Sequence, residues 1–89
     1  WPGTYTYFEG KSLKILKAGV IPDSELTSDE KNAPIGGIVR ISTDGDGSIA
    51  VRCSDGALTI YALQLEGKKR MTASAFLNGH PMKVGEQLG

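Results

Sequence analysis

Three consecutive cations, Lys68, Lys69 and Arg70, are the strongest chemical signal in the chain. They follow Leu63-Gln64-Leu65-Glu66-Gly67, which reads as the end of an apolar strand and a glycine break. They precede Met71 and a short helix over 72–79 with Thr72 as its N-cap. A basic run between two ordered elements is held still, unlike the same run in a tail. Cations on a rigid surface can neutralise phosphates, which gives affinity for nucleic acid without reading its bases. Lys11, Lys14 and Lys17 on the first hairpin join them, and Glu66 dilutes the cluster slightly. The plainer account is a solvated basic turn, and without further evidence it is preferred.

Other reactive groupings are weaker. Asp44-Gly45-Asp46-Gly47 imitates part of a calcium loop, but that alignment puts Ser42 at the first ligand position and Cys53 where the bidentate glutamate belongs. A hairpin turn is the better reading. Gly10-Lys11-Ser12 resembles the end of a phosphate loop, yet Tyr5 occupies the position of the motif's first glycine. Cys53 and His80 are the single thiol and the single imidazole, so the usual four-ligand zinc set cannot be assembled. Cys53 alternates inward as a small core residue, and His80 is expected at the surface or at a helix C-terminus. No catalytic group and no metal site is expected. Tyr5, Tyr7 and Phe8 could stack bases, but packing is favoured because no cation interleaves them in the sequence.

The elements that must position these residues are short strands. Residues 4–8 are aromatic and β-branched. Glu9-Gly10 is a tight turn, and 11–21 is a second strand with Leu13 and Ile15 on one face and Lys14 and Leu16 on the other. Gly19 marks a candidate bulge. Residues 35–42 form a third strand; Ser48 to Cys53 a fourth, with Ile49, Val51 and Cys53 inward and Ala50 and Arg52 outward. Asp55-Gly56 is a hairpin turn. Residues 57–65 form the fifth strand, with a bulge expected near Tyr61-Ala62, where its inward set drifts. A helix of about two turns cannot stand alone, so Phe76 and Leu77 must pack on the sheet. Gly79 is placed as its left-handed C-terminal residue. Lys83 to Glu86 form a turn and Leu88 an anchor. The pattern predicts a mainly β fold, a small closed or partly open OB-like barrel of five to six strands with one short helix, with an SH3-like barrel as the alternative.

Eighty-nine residues with 39% hydrophobic and 22% charged are one soluble domain, 1–89, with a modest core. No apolar run approaches the roughly 20 residues of a membrane helix. The lone cysteine fits a reducing compartment, and a start at Trp1-Pro2-Gly3 reads as a piece of something longer. The net charge of zero hides an asymmetry. Four of the ten acids, Asp23, Glu25, Asp29 and Glu30, fall in 22–30, so the remainder carries ten Lys and Arg against six Asp and Glu. That stretch reads as a solvated loop, and the body is mildly basic, which permits a polyanionic partner.

Several blocks, in order, resemble the C-terminal domain of bacterial methionyl-tRNA formyltransferases. They are Trp1-Pro2-Gly3, Tyr7-Phe8-x-Gly10-Lys11, Cys53-x-Asp55-Gly56-Ala57-Leu58-Thr59-Ile60, Leu63-Gln64-x-x-Gly67-Lys68-Lys69-Arg70-Met71, Phe76-Leu77-Asn78-Gly79 and Gly85-Glu86-x-Leu88-Gly89. Related domains occur in sugar-nucleotide and folate formyltransferases or hydrolases, but the Gly67–Met71 block fits the tRNA enzymes better. The resemblance implies an OB-like domain that helps hold initiator methionyl-tRNA; Lys68, Lys69, Arg70, Lys11, Lys14 and Lys17 are the phosphate-contact candidates of the charge reading, and the family motif does not say which of them touch phosphate. It implies a cytoplasmic enzyme whose catalytic Asn, His and Asp lie in an N-terminal Rossmann-like domain, where 10-formyltetrahydrofolate is the co-substrate. No cofactor is expected in the present residues. A free-standing OB module for single-stranded nucleic acid is the rival outside these enzymes. The acidity of 22–34 departs from what a tRNA face requires.

Overall fold

The computed structural model describes residues 5–88. The Trp1-Pro2-Gly3 turn, Thr4 and Gly89 lie outside the described residues. Alternating side chains produce strands β1 (Tyr5–Phe8), β2 (Lys11–Ile21), β3 (Ile38–Ser42), β4 (Ser48–Cys53), β5 (Gly56–Leu65) and β6 (Met71–Thr72). A one-turn helix α1 (Ser28–Lys31) precedes β3, and α2 (Ala73–Gly79) follows β6. The strands form one antiparallel sheet in the order β1-β2-β5-β4-β3, with β6 added to β5. The mainly β, OB-like expectation is met, but the sheet does not close into a barrel: β1 and β3 end it without pairing each other. The edge of β3 is covered by the tail instead. Ile38 N donates to Glu86 O at 2.8 Å, and Gly85 N to Ile38 O at 2.9 Å.

The core lies on one face of the sheet. Leu13, Ile38, Ile49, Val51, Ile60 and Leu63 share one cluster with Phe76 of α2 there, all of them fully buried. The predicted helix packing is borne out by Ala73, Phe76 and Leu77, which are the buried residues of α2. Thr72 Oγ1 accepts from Ala75 N at 3.2 Å as the N-cap. Leu88 is buried as an anchor, and Glu86 N donates to Lys83 O at 3.1 Å across the predicted turn.

Several local expectations are corrected. Gly79 ends α2 without a left-handed φ, and the C-cap is His80, at φ −135°. His80 stands at the helix C-terminus, one of the two places expected for it, and is half-buried there: its ring stacks on Phe76 at 4.7 Å and meets Phe8 edge-on at 5.5 Å. The third strand starts at Ile38 because Gly36 turns through φ +88° and donates to Arg52 O. The turn between β4 and β5 is Ser54-Asp55, with Cys53 opposite Gly56. Gly19 is not bulged; it pairs with Thr59, and the Tyr61 ring lies 3.3 Å from where a Cβ would stand.

The acidic stretch is not a free loop. Asp23–Glu25 form a 3-10 turn, and Thr27 with Glu30 makes a capping box that starts α1. The segment covers a second small cluster of Leu26, Val39, Ala50 and Ala57. Ala50, expected outward to solvent, is therefore buried on that side.

Candidate nucleic-acid interface

The basic run occupies the link between β5 and β6, which pair back on one another through Leu63 with Met71 and Ala62 with Thr72. Gly67 makes the reversal at φ +79°, where a side chain would be strained. The turn is fixed by its own backbone and by β2. Lys68 N donates to Leu65 O at 2.9 Å, Glu66 N to Ser12 O at 2.8 Å, and the Gln64 amide to Lys68 O at 3.0 Å. Ser12 N returns a bond to the Glu66 carboxylate at 3.2 Å. Glu66 thus fastens the turn to β2, while Lys68, Lys69 and Arg70 stand exposed.

The hairpin cations divide. Lys14 lies between Tyr5 on β1 and Gln64 on β5, so it faces outward beside the turn. A shallow notch of about 250 Å³, lined by Ser12, Lys14, Gln64, Leu65, Glu66 and Gly67, joins it to the turn. Simple alternation would send Leu16 outward next and Lys17 inward. The register instead slips between Ile15 and Lys17, leaving Leu16 as an extra residue, and slips back past Tyr61. The predicted bulge near Tyr61-Ala62 is present, and its counterpart at Leu16 re-aims Lys17 to sit opposite Ala62 on the Lys14 face. Lys11 is exposed but pairs with Phe8, in phase with the inward Leu13, and stays at the hairpin end away from that face.

Both arginines of the strands are internally engaged. Arg40 grips the Glu30 carboxylate with two donors, at 2.7 and 3.0 Å, and donates to Glu25 O at 3.0 Å. Those bonds, with the Thr27 N–H, lower the Glu30 carboxyl from 4.5 to about 2. Arg52 donates to Cys53 O and Gly56 O at 2.7 Å each and to Asp23 at 3.2 Å. Among the described residues, Lys14, Lys17, Lys68, Lys69 and Arg70 form no ion pair. The acidic segment begins beyond Ile21, the far end of β2. At about 3.3 Å per residue, Ile21 is roughly 13 Å from Lys17 and roughly 23 Å from Lys14, both beyond the Debye length of about 8 Å at physiological salt. Its acids therefore do not cancel the basic end.

The remaining candidates stand in packing and turn positions. Cys53 is half-buried, its thiol pushed up by burial and directed at Val51 O at 3.6 Å. His80 is held in the aromatic stack. Asp44-Gly45-Asp46-Gly47 is a turn whose Asp46 carbonyl accepts from Ser74 N at 2.8 Å, docking α2. Among the described residues no three His, Cys, Asp or Glu side chains are grouped to hold a metal ion, and no helix is long and apolar enough to cross a membrane.

Residues 1–81 match the family model described as formyl transferase, C-terminal domain. The chain belongs to that family. Curated relatives named methionyl-tRNA formyltransferase include one from Geobacter metallireducens, 42% identical over 89 residues, or 100% of this chain and 25% of that protein. One from Bdellovibrio bacteriovorus is 40% identical over 88 residues, covering 99% and 26%. A third, from Lachnospira eligens, is 37% identical over 89 residues, covering 100% and 27%. The chain spans about a quarter of the length of these relatives.

In this formyl transferase C-terminal domain, residues that sequence reasoning set aside stand on the basic face. Tyr5 and Tyr7 are 52% and 49% exposed, with Lys14 directly opposite Tyr5. Packing holds for Phe8, which meets Phe76 at 5.3 Å, but not for these two. The signal was the Tyr-Thr-Tyr alternation itself. Thr6 is buried, so both neighbours must point the other way.

Proposed function

We propose that this chain is the tRNA-holding, non-catalytic C-terminal domain of a methionyl-tRNA formyltransferase. Residues 1–89 would form the single module that follows a Rossmann-like catalytic domain of the same protein. That domain would transfer a formyl group from 10-formyltetrahydrofolate to the α-amino group of methionine on initiator tRNA in the cytoplasm. The present residues need no cofactor for their part. The observation that carries the reading is a cluster: Arg40 and Arg52 are tied to carboxylates and the unpaired Lys31 and Lys83 stand apart in sequence, whereas Lys14, Lys17, Lys68, Lys69 and Arg70 are exposed, unpaired among the described residues, and held together on the ordered backbone of β2 and the β5–β6 turn. Such a surface favours a phosphate backbone and gives little sequence discrimination.

The test is a salt titration of tRNA binding by the chain and by Lys68→Gln/Lys69→Gln/Arg70→Gln. The slope of log K against log salt should fall by roughly one unit per lost phosphate contact. Lys14→Gln/Lys17→Gln should reduce it by a smaller amount, and initiator and elongator tRNA should bind alike. Circular dichroism checks that each variant is folded. Equal slopes would remove the basic turn from the binding face, and a chain that binds no tRNA at any salt would return the reading to the sugar-nucleotide and folate enzymes.

A further inference from the structure

Large aromatic side chains in a chain this small are needed for the core, and Phe8 is used that way. Tyr5 and Tyr7 are not. Each is about half exposed, and their rings meet edge to face, 5.9 Å apart at 89°. That arrangement steadies the pair and leaves ring face open to solvent. Among the described residues no further aromatic ring covers them. Lys14 is the cross-strand partner of Tyr5 and Ser12 that of Tyr7, so a cation and a hydroxyl stand directly beside the rings. Cross-strand neighbours lie about 5 Å apart at Cβ, within reach of one nucleotide's base and its own phosphate.

Resting on the reading of this face as one that holds tRNA, we propose that Tyr5 and Tyr7 form a stacking site for an unpaired nucleotide of the bound RNA, with Lys14 on that nucleotide's phosphate. An exposed base offers a flat π-face to a tyrosine ring, whereas a base inside a duplex has both faces covered by its neighbours. The site thus adds what the cations lack: a preference for the single-stranded parts of a folded RNA over paired ones. Charge complementarity selects RNA as the occupant, because Lys14 beside Tyr5 shares its face with Lys17 and adjoins the Lys68–Arg70 turn, and the one acid lining that notch, Glu66, is held by Ser12 N and is outnumbered by these cations.

The experiment compares binding to a tRNA and to a blunt, fully paired RNA duplex of similar phosphate count, each over a range of salt. The proteins are the wild-type chain, Tyr5→Leu/Tyr7→Leu and Tyr5→Phe/Tyr7→Phe. The leucine variant should bind tRNA about 5- to 150-fold more weakly, the range expected for losing one stacked base. Its salt slope should be unchanged and its duplex affinity equal to wild type. The phenylalanine variant, which keeps the rings, should bind tRNA as wild type. Wild-type affinity in the leucine variant overturns the proposal and leaves the rings to a protein partner. An equal loss for duplex and tRNA, or a changed slope, also overturns it. Because the leucine variant could lose the β1 edge, wild-type protein is also cross-linked to tRNA carrying 4-thiouridine in its unpaired positions. Cross-links at Tyr5 or Tyr7 are expected; cross-links confined to other segments overturn the site. A reduced slope in the triple glutamine variant beside wild-type binding by the leucine variant sinks this proposal alone. A chain that binds neither RNA sinks both.

Discussion

The acidic segment 22–34 and the basic segment 64–72 are both short, highly charged and fixed against the same sheet, yet they use charge in opposite ways. In the first, a capping box points Glu30 at Arg40, and the 3-10 turn brings Asp23 to Arg52. Its charges hold the cap over Leu26, Val39, Ala50 and Ala57. In the second, the fastening is done by backbone groups and by the neutral Gln64 amide, with Glu66 accepting only from a backbone N–H. The cations are left over. A count of charge therefore says little about what a surface can bind. What matters is which charged groups already have partners.

The comparison can be broken most severely at the footing of the basic end. Phe76 is fully buried between the sheet, Phe8 and His80. Phe76→Ala should cost about 3–5 kcal/mol, lowering the melting temperature by more than about 12 °C in a domain of this size. A calorimetric melt showing a shift under a few degrees would mean that α2 is not held as described. The acidic end is next. Arg52→Met removes the donors to Cys53 O and Gly56 O and should cost about 1–3 kcal/mol. Its salt slope for tRNA should match wild type, because the cap is more than a Debye length from Lys14. A changed slope would show that the two ends communicate.

The smallest effect is a pH dependence. Glu30 titrates at about 2 in the fold against an ordinary 4.5, so its ion pair stabilises the protein at neutral pH. That contribution is lost as pH falls from the ordinary value through the lowered one. The melting-temperature difference between wild type and Glu30→Gln should be full at pH 6, shrink below pH 4.5 and vanish by about pH 2. A difference that stays constant down to pH 2 would place the stabilising contact elsewhere.

Much of this was readable before any fold was known, because it depends on neighbours in the chain. Ile49 and Val51 take the core face by the period of two, although Ala50 between them is also covered, by the second cluster on the other side. Thr72 followed by Ala73-Ser74-Ala75-Phe76-Leu77 carries both a helix start and the face it buries. The irregularity at Tyr61 showed as a break in the inward set. The basic run itself needs no fold to be seen.

Other features depend on residues far apart in sequence, and only the tertiary structure decided them. Lys17 faces outward with Lys14 because an extra Leu16 on β2 is matched by Tyr61 on β5, and a single strand's alternation cannot contain that slip. Arg40 and Arg52 look as free as Lys68 until Glu30, ten residues away, and Asp23, twenty-nine residues away, fold onto them. Tyr5 and Tyr7 became a surface pair once Phe8 and Thr6 had taken the inward positions of β1. Each turns on long-range placement: local propensity selects an element and its periodicity, but which face is covered, and which charge finds a partner, is set by what the rest of the chain packs against it.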